Sequence, residues 1–210
     1  MSWFKQLDDE LIRRAFARQS DIDWQAEPLE ELYFTDRKET QAAVLIPLVT
    51  RPEGLTVLLT QRTQHLNAHA GQISFPGGRC EPTDEGPIDT ALRETEEETG
   101  LTRAHVEVLA KMPKYLTATN FWVTPVVGLV RPDFTLNPDP YEVEEVFETP
   151  LSFLMDESNH QKQVLQTPKG PRTVFAMPWN REEINKQYFI WGATATMLRN
   201  LHHFLAAGCR

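Results

Sequence analysis

Three carboxylates raise the first chemical question. In "RETEEETG", residues 93–100, Glu94, Glu97 and Glu98 stand at i, i+3 and i+4. That spacing puts them on one side of a helix, about 6 Å apart. At an effective dielectric near 20, each pair repels by roughly 3 kcal/mol, less where water screens it. They also fall toward the C-terminal end of the helix, where the dipole disfavours negative charge. A solvated face is the ordinary reading of an acidic run, but local physics would not choose this one. A divalent cation reverses the sign of each of these terms. Oxygen-only ligands select hard ions, Mg²⁺ or Mn²⁺, over zinc. Arg93, four residues before Glu97, is placed to orient that carboxylate.

The element that must carry these residues is a helix by several signs. Pro87 suits its first turn, Asp89 complements the dipole there, and Gly100 suits its C-terminal stop. Ile88, Ala91, Leu92 and Thr95 recur on the side opposite the three glutamates, and Glu96 joins neither group. Upstream, Gly77 and Gly78 let the backbone approach a ligand closely.

The rest of the chain supplies the frame. "AAVLIPLV" (42–49) predicts a buried strand, and "LTVLLTQR" (55–62) its partner across a Pro52-Glu53-Gly54 turn. "VEVLAKMPKYL", "FWVTPVVGLV", "RTVFAMPW" and "KQYFIW" predict further strands, and "EVEEVFETPLSFLMD" a bend into a short helix. "GATATMLRNLHHFLAAG" predicts a closing helix, with Leu198, Leu201 and Leu205 on one stripe. Mixed strands and helices imply a layered α/β fold. The expected division is an N-terminal helical and irregular extension over 1–40 and one domain over 41–210. A homodimer contact or a cap on the sheet are the two roles open to the extension.

Composition excludes several classes. Lys and Arg number 21 against 30 Asp and Glu, a formal net charge of −9, which argues against a general nucleic-acid binder. No apolar run approaches the ~20 residues of a membrane span. Asp8, Asp9 and Glu10 spoil the amphipathic N-terminus as a targeting segment, so the expected location is cytoplasmic. Cys80 and Cys209 are the only cysteines, too few for a disulfide framework or a thiolate zinc site.

Residues 78–101 resemble the Nudix signature: Gly, five residues, Glu, seven residues, then Arg-Glu-apolar-any-Glu-Glu-any-Gly-apolar. Glu85, Arg93, Glu94, Glu97, Glu98, Gly100 and Leu101 fall in the expected places. Two departures stand out. Six residues separate Gly78 from Glu85, and Thr95 replaces the apolar residue. The resemblance implies an α/β/α sandwich with a mixed β-sheet that hydrolyses nucleoside diphosphates linked to another group. Glu94, Glu97, Glu98 and the Gly77 carbonyl would hold Mg²⁺ or Mn²⁺, which polarises phosphate oxygens and activates water. The general base is open among Glu97, Glu98 and a carboxylate from a later loop. Among Asp139, Glu142, Glu144 and Glu145, Glu142 is preferred, because "EVEEVFETPL" resembles a stretch of one Nudix branch.

That branch is the coenzyme A pyrophosphatases, whose motif "LLTQRTQHLNAHAGQISFPGG" (58–78) resembles. Arg62, Thr63, Gly71, Phe75 and Gly78 are carried over as substrate-binding residues, and Arg93 joins Glu97, Glu98 and Glu142 in the catalytic set. The implied substrate is a small diphosphate, coenzyme A or a derivative; the alternatives are another nucleoside diphosphate derivative such as ADP-ribose, or a non-catalytic nucleotide-sensing Nudix domain. Asn67 stands where the branch has a second Arg, a charged fork for phosphate that Asn cannot replace. His65 or His69 would be the nearby residue to compensate.

Overall fold

The computed structural model describes residues 2–28, 39–65, 70–167 and 170–209. Asn67 and His69 lie outside the described residues. In chain order the helices are α1 (Asp9–Ala17), α2 (Pro87–Thr99), α3 (Leu151–Leu154) and α4 (Ala193–Gly208). The strands up to α2 are β1 (Thr40–Val49), β2 (Thr56–Arg62), β3 (Ile73–Ser74) and β4 (Gly77–Arg79). After it come β5 (Val106–Lys111), β6 (Tyr115–Leu116), β7 (Phe121–Val130), β8 (Val143–Pro150), β9 (Gln161–Thr167), β10 (Gly170–Arg181) and β11 (Lys186–Trp191).

The main sheet is mixed. β1 runs parallel to β7 from Thr40↔Phe121 to Val49↔Val130, while β5 and β6 add to β7 antiparallel. The other edge of β1 is shared: β4 takes Ala42–Val44 and β2 takes Leu48 and Val49. Pro47, which has no N–H to donate, falls in the interval between those two pairings. β2 then pairs along its length with β8 and at its end with β3. A second, three-stranded sheet runs β11-β10-β9.

Alternation along β1 sorts the two faces of the main sheet. Ala43 and Leu45 meet Ala91 of α2. Ala42, Ile46 and Leu48 enter the larger core, with Ile12 and Phe16 of α1, Leu198, Leu201 and Phe204 of α4, and Met177 and Tyr188 of the second sheet. Helices therefore cover both faces of a mixed sheet, the layered α/β architecture that the sequence predicts. Among the described residues, no helix is long and apolar enough to cross a membrane.

One local expectation changes. "EVEEVFETP" is not a bend: Val143–Pro150 is a strand, with Val143, Phe147 and Thr149 buried. Its acids are matched by distant partners, Glu148 by Arg51 (Nη2 to Oε1 2.6 Å) and Glu145 by Lys186. The N-terminal extension packs into the core. Leu7, Ile12, Ala15 and Phe16 are buried in the larger core. Glu27 anchors its far end on α4 through Arg199 (2.6 Å) and His203 (2.8 Å).

Candidate active site

α2 is built as its sequence requires. Pro87 opens it, and Gly100 closes it in the left-handed region (φ 77°), its N–H bonded to the Glu96 carbonyl at 2.9 Å. Ala91, Thr95 and Thr99 are buried against the sheet. Thr95, where an apolar residue was expected, satisfies its hydroxyl on the Ala91 carbonyl at 2.6 Å, so the burial leaves no polar atom unpaired.

The three signature glutamates do not share one environment. They form an arc from interior to solvent: the Glu98 side chain is 7% exposed, Glu94 19% and Glu97 59%. Glu98 accepts the Gly77 N–H at 3.1 Å and lies 3.6 Å from Arg62. Burial raises the Glu98 carboxyl to about 8, with the Gly77 N–H and Arg62 opposing and Glu142 and Glu94 adding to the rise. Glu94 is raised too, again chiefly by burial and against the pull of Arg93. Glu96 stays outside the group, exposed and 3.9 Å from Arg103.

Arg93 is the hub. One guanidinium nitrogen donates to Glu94 at 3.0 Å and, four residues along the helix, to Glu97 at 2.9 Å. Its other nitrogens grip Asp84, at 2.8 and 3.1 Å. Sequence matching put Glu85 in this place. The fold uses Asp84, which five residues separate from Gly78, and leaves Glu85 exposed. Arg93, the Glu81 N–H and the Thr90 hydroxyl hold the Asp84 carboxyl well below its usual range. Asp84 went unrecognised because only the folded loop shows which of two adjacent acids turns inward.

The glycines fit this arrangement. Gly77 has φ 150° and lies so close to Ala43 and Val44 of β1 that a Cβ would overlap their backbone. A Cβ on Gly78 would overlap the Glu94 carboxylate. Glu142 is brought to the same place from the far side: its carboxylate lies 3.8 Å from Arg62, which therefore stands between Glu142 and Glu98.

Other carried-over residues have supporting positions. Thr63 is buried, its hydroxyl donating to the Tyr141 carbonyl at 2.9 Å and its N–H to the Glu142 carbonyl at 3.0 Å, so it ties down the loop that bears Glu142. Gly71 (φ 68°) closes its own loop onto the Arg62 carbonyl at 3.1 Å. Phe75 is 2% exposed and belongs to the core, so its place is packing beneath the Pro76-Gly77 turn rather than a surface open to a ligand.

Among the described residues, no three His, Cys, Asp or Glu side chains converge as a metal cage; Arg93 bridges two of the glutamates and Glu98 turns inward. The donor set nonetheless fits a hard cation. Its candidate ligands, Glu94, Glu97, Glu98 and the Gly77 carbonyl, would all offer oxygen, and Glu98 is a buried carboxyl met by one N–H and, at 3.6 Å, one guanidinium.

Residues 39–167 match the NUDIX domain model, and the chain belongs to the Nudix hydrolase family. It is 42% identical over 162 residues to the uncharacterized Nudix hydrolase NudL of Escherichia coli K12, covering 77% of this chain and 80% of NudL. A MutT/nudix family protein from Enterococcus faecalis overlaps 92% of this chain and 73% of its own, with 16% identity and a TM-score of 0.48. The NUDIX domain of Shewanella oneidensis NrtR, solved with ADP ribose, overlaps 57% and 80%, with 21% identity and a TM-score of 0.43. Nudix hydrolases act on small-molecule diphosphates and generally use divalent metal ions.

Proposed function

We propose that this Nudix hydrolase cleaves the diphosphate bridge of coenzyme A or a derivative, giving 3′,5′-ADP and 4′-phosphopantetheine with Mg²⁺ or Mn²⁺. One observation carries the reading. Residues 58–78, which resemble the coenzyme A pyrophosphatase motif, run from β2 to β4, and both ends of the stretch touch Glu98. Arg62 does so at 3.6 Å and the Gly77 N–H at 3.1 Å.

Glu94, Glu97, Glu98 and the Gly77 carbonyl would hold the ion. When bound, it neutralises phosphate charge and makes water a stronger acid. Asp84 fixes Arg93, and Arg93 fixes Glu94 and Glu97, so the carboxylates are placed before substrate arrives. Arg62 offers a planar fork that can exchange Glu142 for a phosphate oxygen. Glu142, half exposed beside it, takes the proton of the attacking water. One O–H bond breaks, one P–O bond forms, and the anhydride P–O bond breaks to leave two phosphomonoesters. Glu97 and Glu98 are the alternative bases.

Asn67, in place of the branch's second Arg, favours a second reading in which another nucleoside diphosphate derivative, such as ADP-ribose, is the substrate. Incubation with coenzyme A and Mg²⁺, followed by chromatography for 3′,5′-ADP, separates the two, with Glu98→Gln as control. Release by the native protein alone supports the coenzyme A assignment. A higher kcat/KM for ADP-ribose removes it.

A further inference from the structure

The match to the family ends at Thr167, yet a residue beyond it reaches the strands that present Arg62 and Glu142. Lys186 opens β11 immediately after Asn185, whose left-handed conformation (φ 50°) turns the chain. Its ammonium donates to Glu145 on β8 and, at 3.2 Å, to Gln61 on β2. Gln61 and Glu145 are a cross-strand pair, and they are the last regular pair of the β2–β8 ladder. Beyond them the register shifts: Arg62 pairs with Val143, which leaves Glu144 as the extra residue of a β-bulge.

Bulges bend the strand and re-aim the side chains next to them. Here the neighbours are Arg62, directed at Glu98 on the α2 face, and Glu142, which meets Arg62 from the adjoining loop. Lys186 holds the opposite face, where the second sheet packs, and its ammonium is located from several directions. Glu145 also accepts the Tyr188 hydroxyl at 2.7 Å, so both its oxygens are engaged. The Tyr188 ring lies 4.8 Å from the ammonium and stacks on both Phe147 (3.9 Å) and Trp179 (5.4 Å). Tyr188 itself is 1% exposed, so this anchor has little freedom to move.

We propose that Lys186 is a positioning residue of the hydrolysis: by bridging Glu145 and Gln61 it fixes the bulge at Glu144 and so aims Arg62 between Glu98 and Glu142. The role rests on the diphosphatase reading above, and it makes the second sheet part of the catalytic apparatus rather than a cover for the core.

The test uses the full chain with Lys186→Met, Lys186→Arg and a control, Arg51→Met. The control breaks the Arg51–Glu148 ion pair at the other end of the same β2–β8 ladder. On whichever diphosphate the native protein cleaves, Lys186→Met should lower kcat about tenfold to a hundredfold with KM changed less than about threefold. Lys186→Arg should recover most of the loss, and Arg51→Met should leave kcat within about threefold of native. The second readout needs no turnover. The Arg62 Nε–H resonance, assigned by its disappearance in Arg62→Lys, should shift in Lys186→Met, return in Lys186→Arg and stay in place in Arg51→Met.

An unmoved resonance, or a kcat retained in Lys186→Met, overturns the positioning role. An equal loss of kcat in Arg51→Met also overturns it, because it would show general loosening of the strands. If native protein cleaves neither coenzyme A nor ADP-ribose, the functional reading fails, and the resonance still decides the role of Lys186.

Discussion

Arg93 and Asp84 face each other as a two-point clamp, with Nε 2.8 Å from Oδ1 and Nη2 3.1 Å from Oδ2. The Asp84 side chain is 3% exposed and that of Arg93 20%. Truncating one partner of such a pair leaves the other buried and short of a counter-charge, although Glu94 and Glu97 still hold Arg93 here. Asp84→Ala should therefore cost about 2 kcal/mol, below the full loss of a buried pair. In a chain of this size that lowers Tm by roughly 4–8 °C. Glu85→Ala, at an exposed position, should change stability by less than about 0.5 kcal/mol. Thermal melts of the two variants side by side decide which acid anchors Arg93; a larger drop for Glu85→Ala would reverse the assignment.

Gly77 and Gly78 are adjacent but fail differently when given a methyl group. At Gly77 the added Cβ meets backbone of β1 and a φ of 150°, neither of which can yield cheaply. Gly77→Ala should cost roughly 3 kcal/mol, the scale of overpacking joined to a strained backbone. At Gly78 the Cβ meets only the Glu94 carboxylate, the far end of a flexible side chain. Gly78→Ala should keep Tm within about 3 °C of native, equivalent to at most ~1 kcal/mol. It should nevertheless weaken Mn²⁺ binding, followed by calorimetry, because Glu94 is pushed aside. Equal losses of stability in both variants would contradict this division.

What could be read without the fold follows from how local each signal is. α2 was legible because Pro87, the Ala91–Thr95 spacing and the Gly100 cap all lie within the helix or at its end. The motifs named Glu94, Glu97, Glu98, Arg93, Arg62 and Glu142, and the fold gathers these side chains into contacts around Arg93 and around Arg62. β8 was not. Its acids look like a solvated bend until Arg51, 97 residues from Glu148, and Lys186, 41 residues from Glu145, are brought alongside. The bulge at Glu144 also breaks the two-residue alternation by which a strand is recognised. Phe75 illustrates the converse: its motif position suggests a ligand contact, and only the fold shows that its side chain is buried in the core.

A histidine cluster formed by α4 and the segment just before β9 sets the response to acid. His160 and His202 lie 5.2 Å apart between ring centroids, and His202 and His203 5.4 Å. Burial lowers both His160 and His202 from 6.5; Arg199 and His203 add to the shift in His160, His160 and His203 add to it in His202, and the Leu154 and Met155 carbonyls and Glu157 oppose it. The folded state thus favours neutral rings, and the unfolded chain binds more protons below the ordinary histidine range. Stability from this source is complete above about pH 6.5 and is lost as pH falls below it. Glu27, burial notwithstanding, is held below 4.5 by His203 and Arg199, so its contribution is also lost on acidification, at lower pH. Tm should fall between pH 7.5 and 5.5, and His202→Asn should flatten that fall. A native Tm constant across this window would refute the account.

The N-terminal helix gives the most direct test of whether residues 1–40 are an accessory. Ile12 has no exposed surface, and Phe16 packs on Phe204 of α4 with ring centroids 4.6 Å apart. Outside that contact, α1 is held by Arg13 on Glu107 of β5 (2.8 Å) and by Asp9 on the Thr50 hydroxyl (2.8 Å). The ion pair is about half exposed, where such pairs contribute little. The apolar contacts must therefore supply most of the attachment. Ile12→Ala should cost about 3 kcal/mol, a fall in Tm of roughly 6–12 °C. Arg13→Ala should cost less than about 1 kcal/mol. If α1 were a loosely attached extension, Ile12→Ala would unfold only that segment and leave the main thermal transition where it was. Denaturation followed by far-ultraviolet circular dichroism separates the cases. One transition displaced to lower temperature shows a shared core; an unmoved main transition, preceded by a small loss of helix, shows an accessory.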